Sequence, residues 1–527
     1  TSPSTQPRRI GVIGGGIIGT CTAFWLGRLA SAGRQPVQVT LIEGSEIAAG
    51  ASGKAGGLLA LDWHGSVPFP PPNDLITTLT DRDPSEQTRN GSLAKLSYAL
   101  HAQLAQELDG EKKWGYRKLD TLSISADLSA AGSGSAKKTA RTRKLNDSDL
   151  FDWLNKDLLT ATDVLGSQET TAQVHPEQFT RAIAEQAQKE GLQIVYGTAE
   201  RLERTKEGGD HYAVTISPRK DNDDNSPRVL EFDQIVIAAG PWTGRLLSSL
   251  GLGGGGGDNN NDPGSLRARA GRAKAIRGSR AHSIVVRAPE GKTLPAQALF
   301  TSIKEQKGRH AEPEIYSKPV QPSFIIHAEM ISELGSRERP PTEDWLIFWR
   351  TLIALADRPD GTAYACGPTD DSDLPLRASD VTTSPSAIAS LVSQTARLAP
   401  DYLDSTSGGG GAKVEREQAC YLPVGSGDPV LGRIDQGTEG SGKGIYVASG
   451  HSCWGIVRLT ASLSLSLSQH TALQYECDSD PLPTVAPVSP RFATHSAMVS
   501  SLGGRFAYRL VPPARPLQIR KLTIDSL

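Results

Sequence analysis

Methionine is nearly missing from this chain, with two in 527 residues, and cysteine is scarce. The five cysteines, Cys21, Cys366, Cys420, Cys453 and Cys477, are odd in number and none stand at C-x-x-C spacing. That excludes a disulfide framework or a structural zinc site and fits a reducing compartment. Neither sign of charge dominates: 56 Lys and Arg face 58 Asp and Glu, for a net charge of −2. Without a basic field nothing argues for nucleic acid or an anionic membrane surface, and a small molecule becomes the expected partner. Long hydrophobic runs are also missing. The best candidate, residues 345–356, is too short to cross a bilayer and contains Arg350. The opening Thr-Ser-Pro-Ser-Thr-Gln-Pro-Arg-Arg has no apolar h-region, so no secretory signal is expected. Together these absences predict an intracellular, cytoplasmic protein. Endosomal or peroxisomal association stays open, although the final Asp-Ser-Leu lacks the basic residue of a Ser-Lys-Leu signal.

What the chain does have is length and patterned glycine. A chain of 527 residues exceeds one ordinary core, so two domains are the natural expectation. Arg9 to Ile13 is apolar and β-branched, and helical spacing of apolar positions follows from Ile17 to Ala30. The glycines of Ile10-Gly-Val-Ile-Gly-Gly-Gly-Ile-Ile-Gly19 therefore fall at a strand-to-helix turn. There Gly14 permits the tight bend and Gly16 lets the backbone approach a pyrophosphate. Ile17 and Ile18 open a helix whose N-terminal dipole end suits phosphate, and Gly19 allows the helix to lie close on the strand. The next strand, Val37 to Ile42, ends at Glu43, 24 residues after Gly19, with Gly44 behind it. An acidic side chain here accepts from ribose hydroxyls and repels a 2′-phosphate, which favours FAD or NAD over NADP.

Further along stands Gly50-Ala51-Ser52-Gly53-Lys54-Ala55-Gly56-Gly57-Leu58-Leu59. It is similar to the loop under the flavin in the D-amino-acid oxidase, glycine oxidase and sarcosine oxidase family. Four more segments resemble that family in the same order. His175 to Phe179 resembles the start of the helix after the first substrate-domain excursion. Gly197-Thr198-Ala199-Glu200 resembles the strand end that meets adenine. Ile235 to Gly244, with Ala239, Gly240 and Trp242, resembles the strand and turn that close the nucleotide pocket. Ile445 to Gly455, with His451, Ser452, Cys453, Trp454 and Gly455 leading to Ile456, resembles the segment against the flavin ring. The resemblance implies FAD as cofactor and an α/β fold: a discontinuous Rossmann-like FAD-binding domain with an inserted α+β, mainly antiparallel-sheet substrate domain. In that order, residues 1–64, 160–250 and 428–475 form the FAD-binding domain, and 90–159 and 265–427 the substrate domain.

The same resemblance implies oxidation of a C–N bond of an amine or amino acid by hydride transfer to flavin, with oxygen as acceptor and hydrogen peroxide as product. Backbone N–H groups from Ser452 to Ile456 would then stabilise charge at flavin N1 and O2. His451 is a candidate catalytic contact, against the reading that it satisfies backbone groups in a turn. Lys54 either approaches flavin N5 through water or is a solvated loop lysine. Arg280 and His282 lie on a strand that in this family faces the substrate cavity, which makes both candidate catalytic residues; the alternative is an edge strand with ordinary polar residues.

Leu422 occupies the step of Cys420-Tyr421-Leu422-Pro423 where enzymes for free amino acids carry an arginine fork. Leucine cannot clamp a carboxylate. A free α-amino acid would need another cation, Arg280 or Arg117, and otherwise the substrate is a secondary amine or a modified amino acid. Cys420 lies near the position of covalent flavin attachment in sarcosine oxidases, against a role as a buried structural thiol. Two other functions stay open: a low-activity flavoprotein in regulation or trafficking, and an FAD dehydrogenase with an acceptor other than oxygen. Oligomeric state is not legible.

Three segments depart from the family pattern: residues 65–89, 319–357 and 457–527. After Ile456 the family's Gly-Thr-Gly turn is absent and alternating Ser-Leu follows, as a repeated pyrimidine tract would encode. These segments are expected to be translated introns, a shifted frame, or lineage-specific surface insertions. Sequencing the transcript decides between them. The stretches 253–264, 132–144 and 405–411 read as flexible loops without core-forming content.

Overall fold

Ile10 to Ile13 are buried on both faces, as befits a strand inside a parallel sheet. This strand, β1 (Arg8–Ile13), leads into helix α1 (Ile17–Ala32) and then β2 (Val37–Glu43). β1 pairs in parallel with β2 on one side and with Gln234–Ile237 on the other. Gln193–Tyr196 extends the sheet beyond β2. Gly444–Ser449 and then Val430–Arg433 extend it at the opposite edge, the last strand running antiparallel. The six strands thus come from early, middle and late parts of the chain, so this sheet is built from discontinuous sequence.

Alternation along β1 assigns its side chains to two cores. Val12 joins Phe24, Leu41, Phe179 and Ile183 beneath α1 and helix Pro176–Lys189. Ile13 joins Ile42, Ile237, Val447 and Tyr212 on the other face. Each fully buried aliphatic or phenyl side chain stabilises the fold by roughly 1.5–3 kcal/mol, so both faces of the sheet are firmly covered.

A second sheet runs in the order Lys413–Val424, Arg277–Arg287, Thr362–Asp370, Glu314–Ser317, Gln297–Lys304, Asp120–Asp127, Leu159–Gly166. It is antiparallel apart from the Gln297–Lys304 and Asp120–Asp127 pair. Helix Pro385–Leu398 covers one face, with Ile388 and Leu391 packed among Ile284, Val286 and Ala365. Two smaller antiparallel sheets, of three strands each, complete the set.

The computed structural model describes residues 7–456 apart from 33–35, 62–83, 130–148, 206–210, 220–225, 250–264, 306–309, 312–313, 318–360, 407–410, 426–428 and 436–443. All the described residues belong to one compact unit, Thr1–Tyr475. Residues 319–357 and 457–527, most of 65–89, and the stretches 253–264 and 132–144 lie outside the described residues, as do 407–410. Residues 84–89 open helix Pro84–Leu108.

Strand and core membership differ from the sequence division in three places. Leu159–Gly166 pairs with Asp120–Asp127 and so belongs to the large antiparallel sheet, past the expected boundary at 159. Ala94, Leu104 and Ala105 share a core with Val12 and Phe24, which puts helix Pro84–Leu108 against the parallel sheet. Ala270 and Ala273 of helix Leu266–Lys274 join the core of Ile13 and Ile42. In each case apolar periodicity gives the element type, while the partner that covers its apolar face is a long-range matter. Among the described residues no helix is long and apolar enough to cross a membrane.

Candidate functional site

A cavity of about 700 Å³ opens between the N-terminus of α1 and the antiparallel sheet. Its floor is the glycine turn, where Gly14, Gly16, Ile17 and Ile18 line it. Gly14 has φ +113°, and a Cβ there would stand 2.4 Å from the Ala238 carbonyl oxygen, so only glycine makes this turn. Gly19 does not line the cavity. A Cβ at Gly19 would lie 1.9 Å from the Gly14 carbonyl oxygen and 3.3 Å from the Ala238 Cβ, so its part is the close seating of helix on strand rather than direct contact.

Glu43 closes the turn from the side. Its Oε2 accepts from the Gly15 N–H at 2.6 Å and its Oε1 from the Ser45 N–H at 2.7 Å. Burial raises the Glu43 carboxyl above the ordinary carboxylate range, and these two N–H groups oppose that shift. The Ser52 hydroxyl oxygen accepts from the Ile17 N–H at 2.8 Å, which leaves its own hydrogen to donate. Glu43, Gly44, Ala51 and Ser52 line one wall; Ala199, Glu200, Ala239, Gly240 and Trp242 line another.

The opposite end is roofed by the sheet. Side chains two apart on one strand share a face, and Cys420 with Leu422, and Tyr364 with Cys366, line the cavity together with Ala281. Below them Lys54, Gly56, Gly57 and Leu58 pass as a loop. The Tyr364 hydroxyl donates to the Lys54 carbonyl at 2.7 Å, and Lys54 Nζ donates to the Ala419 carbonyl at 3.0 Å. Burial lowers the Lys54 ammonium below its ordinary value, pushes the Cys420 thiol up to about 11, and raises Tyr364 well above the usual phenol range. Cys420 and Tyr364 are therefore neutral donors at neutral pH. Glu43 and Glu200 are the carboxylates that line the cavity among the described residues, and both belong to its nucleotide walls.

His451, Ser452, Cys453, Trp454, Gly455 and Ile456 form the remaining wall. His451 is buried, and the next residue, Ser452, takes φ +52°, a left-handed conformation uncommon for a residue with a side chain. Trp454 N–H returns to the His451 carbonyl at 2.9 Å, closing a short 3-10 turn. From outside, His101 Nε2 holds the Ile456 carbonyl at 2.9 Å while its ring lies 4.8 Å from that of Phe179. Burial depresses the His101 imidazole to about 4, so it is neutral and Nε2 carries the donated hydrogen. No sequence signal marks His101; it is one polar residue on a helix whose partner is 355 positions away.

Arg280 and His282 are not in the cavity. On their strand it is Ala281 that faces inward, so its two neighbours point to the opposite face. Arg280 makes a bidentate pair with Asp370, at 2.9 to 3.1 Å, and donates to the Thr382 carbonyl at 3.2 Å. The Ser384 N–H donates to His282 Nε2 at 3.0 Å, which leaves Nδ1 to donate to the Pro368 carbonyl at 3.1 Å. Both ring nitrogens are occupied by backbone, and neither residue reaches the cavity as a catalyst. Arg117 also lies outside the lining, held at 3.1 and 3.3 Å by Gln173 Oε1. The cavity also contains residues absent from the sequence-based set, among them Tyr364, Cys366, Arg245 and Arg377.

These residues fit a flavin dinucleotide. The glycine turn at a helix N-terminus suits a diphosphate, the buried acid a ribose, and the extended cavity continues from there to an apolar chamber under the sheet. Comparison with known proteins agrees. The family model DAO, described as FAD dependent oxidoreductase, matches residues 9–462. The chain is 30% identical to C1F5.03c of Schizosaccharomyces pombe, an oxidoreductase by name, over 86% of this chain and 91% of that protein. Among solved structures it resembles glycine oxidase from Bacillus cereus, at 17% identity, TM-score 0.53, and 89% and 96% coverage of the two chains. It also resembles L-proline dehydrogenase from P. horikoshii, at 15% identity, TM-score 0.52, and 89% and 96% coverage.

Proposed function

Because this chain belongs to the DAO family of FAD-dependent oxidoreductases, we propose that it oxidises the C–N bond of a secondary amine or modified amino acid and passes the electrons to oxygen, giving hydrogen peroxide. The observation that carries the substrate class is Leu422 in the roof of the chamber, with Arg280 turned away to Asp370. A free α-amino acid would find leucine, and no guanidinium fork, at this position of the roof.

FAD, when bound, supplies the acceptor for the two electrons and the hydrogen removed from the carbon beside nitrogen. Gly14, Gly16, Ser52 and Glu43 would hold its dinucleotide part, and Lys54 to Leu58 with His451 to Ile456 would flank the ring. This chain's residues then orient the amine and exclude water. Leu422, Ala281 and Phe300 present apolar surface to the substrate. Tyr364 stays protonated and keeps its hydrogen on the Lys54 carbonyl, and the Cys420 thiol stays protonated as a weak donor. Lys54 is anchored through Nζ on the Ala419 carbonyl, which holds its loop at the base of the chamber.

The test is an anaerobic screen of the FAD-loaded protein. Bleaching of the flavin absorbance by N-alkyl amines or N-substituted amino acids, followed by peroxide release in air, is the expected result. Bleaching by a hydroxy acid or a glycerol phosphate, with no response to any amine, would overturn the proposal. Reduced flavin that air leaves unchanged over seconds in stopped flow would assign a dehydrogenase instead.

A further inference from the structure

The glycine turn that should receive a diphosphate has already spent most of its donors. Gly14 N–H goes to the Ile42 carbonyl at 2.8 Å, Gly15 N–H to Glu43, and Ile17 N–H to Ser52. The nearby Glu43 carboxylate adds an acceptor rather than a donor. Two negative charges on FAD therefore need a cation from elsewhere in the cavity, beyond what the helix dipole offers.

Three cations line that cavity: Lys54, Arg245 and Arg377. Lys54 donates to the Ala419 carbonyl. Arg245 donates to the carbonyls of Leu374 and Pro375 at 2.6 and 2.9 Å. The Arg377 guanidinium has no hydrogen-bond or ion-pair partner among the described residues, yet it is half-buried.

Its backbone, in contrast, is firmly placed. Trp242 Nε1 joins Arg245 on the Pro375 carbonyl at 2.8 Å, and the Tyr421 hydroxyl holds the Asp373 carbonyl at 2.7 Å. Arg280 and His282 pin the two ends of the same loop, at Pro368 and Asp370 on one side and Thr382 and Ser384 on the other. Trp242 also reaches the turn beside the α1 N-terminus: a Cβ on Gly50 would meet its Cζ3 at 3.9 Å, two residues before Ser52. The indole thus connects the loop that carries Arg377 to the turn that touches the phosphate-binding helix end.

We propose that Arg377 is the cation that clamps the FAD diphosphate, delivered by residues 368–384 of the antiparallel-sheet side, with Arg280, Asp370 and His282 as positioning residues. This goes beyond the amine-oxidase reading and does not depend on it, since no substrate takes part. A substrate domain that holds the cofactor's phosphates would also bring its own apolar roof into register with the flavin.

The experiment is titration of the apoprotein with FAD, followed by flavin fluorescence, with ADP and adenosine as competing probes. R377M should weaken FAD and ADP about tenfold or more and leave adenosine within twofold of wild type. R377K should recover part of the loss. D370N, which loosens the loop without touching the cavity, should weaken FAD severalfold with its far-UV circular dichroism unchanged. Equal affinity of wild type and R377M for FAD and ADP would overturn the assignment. So would an R377M protein that binds FAD and ADP as wild type does and shows a raised KM for the amine that bleaches the wild-type flavin, because Arg377 would then serve the substrate.

Discussion

The Tyr364 hydroxyl donates to the Lys54 carbonyl across 2.7 Å, joining a strand of the antiparallel sheet to the loop at the base of the chamber. The two residues are 310 positions apart, so the bond fixes the height of the roof over the loop. Tyr364→Phe leaves a carbonyl without its donor in a buried place. The expected loss is about 1–3 kcal/mol in urea unfolding, with FAD affinity falling alongside.

Gly19 tests the seating of α1 on the sheet. Gly19→Val places atoms inside the Gly14 carbonyl, and the backbone at that turn offers no flexible side chain to yield. We expect a loss of at least about 1–3 kcal/mol, read by thermal unfolding of the apoprotein, together with loss of yellow colour after purification. Because Gly19 is outside the cavity, the colour is lost through the distorted turn and not through a missing contact.

This part of the molecule was legible from the chain alone, for a physical reason. The turn, the helix and Glu43 interact within about 35 residues of sequence, and each glycine answers a local steric demand. Arg280 and His282 show where such reading stops. Which face of a strand meets the cavity is a matter of register, and one irregularity between Ala281 and Ser283 adjusts the pairing with Thr362–Asp370. Arg377 carried no local sign at all. Its importance rests on carbonyls held by Trp242, Arg245 and Tyr421 from three other elements.

His101 gives the fold a pH dependence of definite sign. In the unfolded chain its imidazole takes a proton near its ordinary 6.5, in the folded protein only near 4. Between those values the unfolded state binds more protons, so stability is fully present above pH 6.5 and declines as pH falls towards 4, by at most about 1.4 kcal/mol per pH unit. Urea midpoints at pH 7 and pH 4.5 should differ accordingly. His101→Gln retains a donor for the Ile456 carbonyl and should remove this component of the difference; an unchanged pH dependence in that variant would show that the acid sensitivity lies elsewhere.

The Cys420 thiol stands in the roof, protonated at neutral pH because burial raises it to about 11. Only the thiolate is nucleophilic, so we expect FAD to be held without a covalent bond. Acid precipitation of the holoprotein should leave the yellow colour in the supernatant, and Cys420→Ser should purify with the same flavin content as wild type. Colour that follows the pellet in wild type and the supernatant in the variant would contradict this.

Leu422 offers the most direct control over substrate class. Its side chain lines the chamber next to that of Cys420, two residues away on the same face of the strand. Leu422→Arg would introduce a guanidinium with five donors in a fork that matches a carboxylate. The strand already pairs on one side with Arg277–Arg287, and the new side chain would project from the same backbone position, so the fold should persist with a penalty of about 1–3 kcal/mol for overpacking. If absence of a guanidinium at this roof position is what turns free amino acids away, the variant should gain at least about tenfold in kcat/KM for them, equivalent to about 1.4 kcal/mol of transition-state binding, and lose activity towards uncharged amines. A variant that still binds FAD, still oxidises the wild-type amine, and gains nothing with any free amino acid would mean that the carboxylate is excluded by shape and not by missing charge.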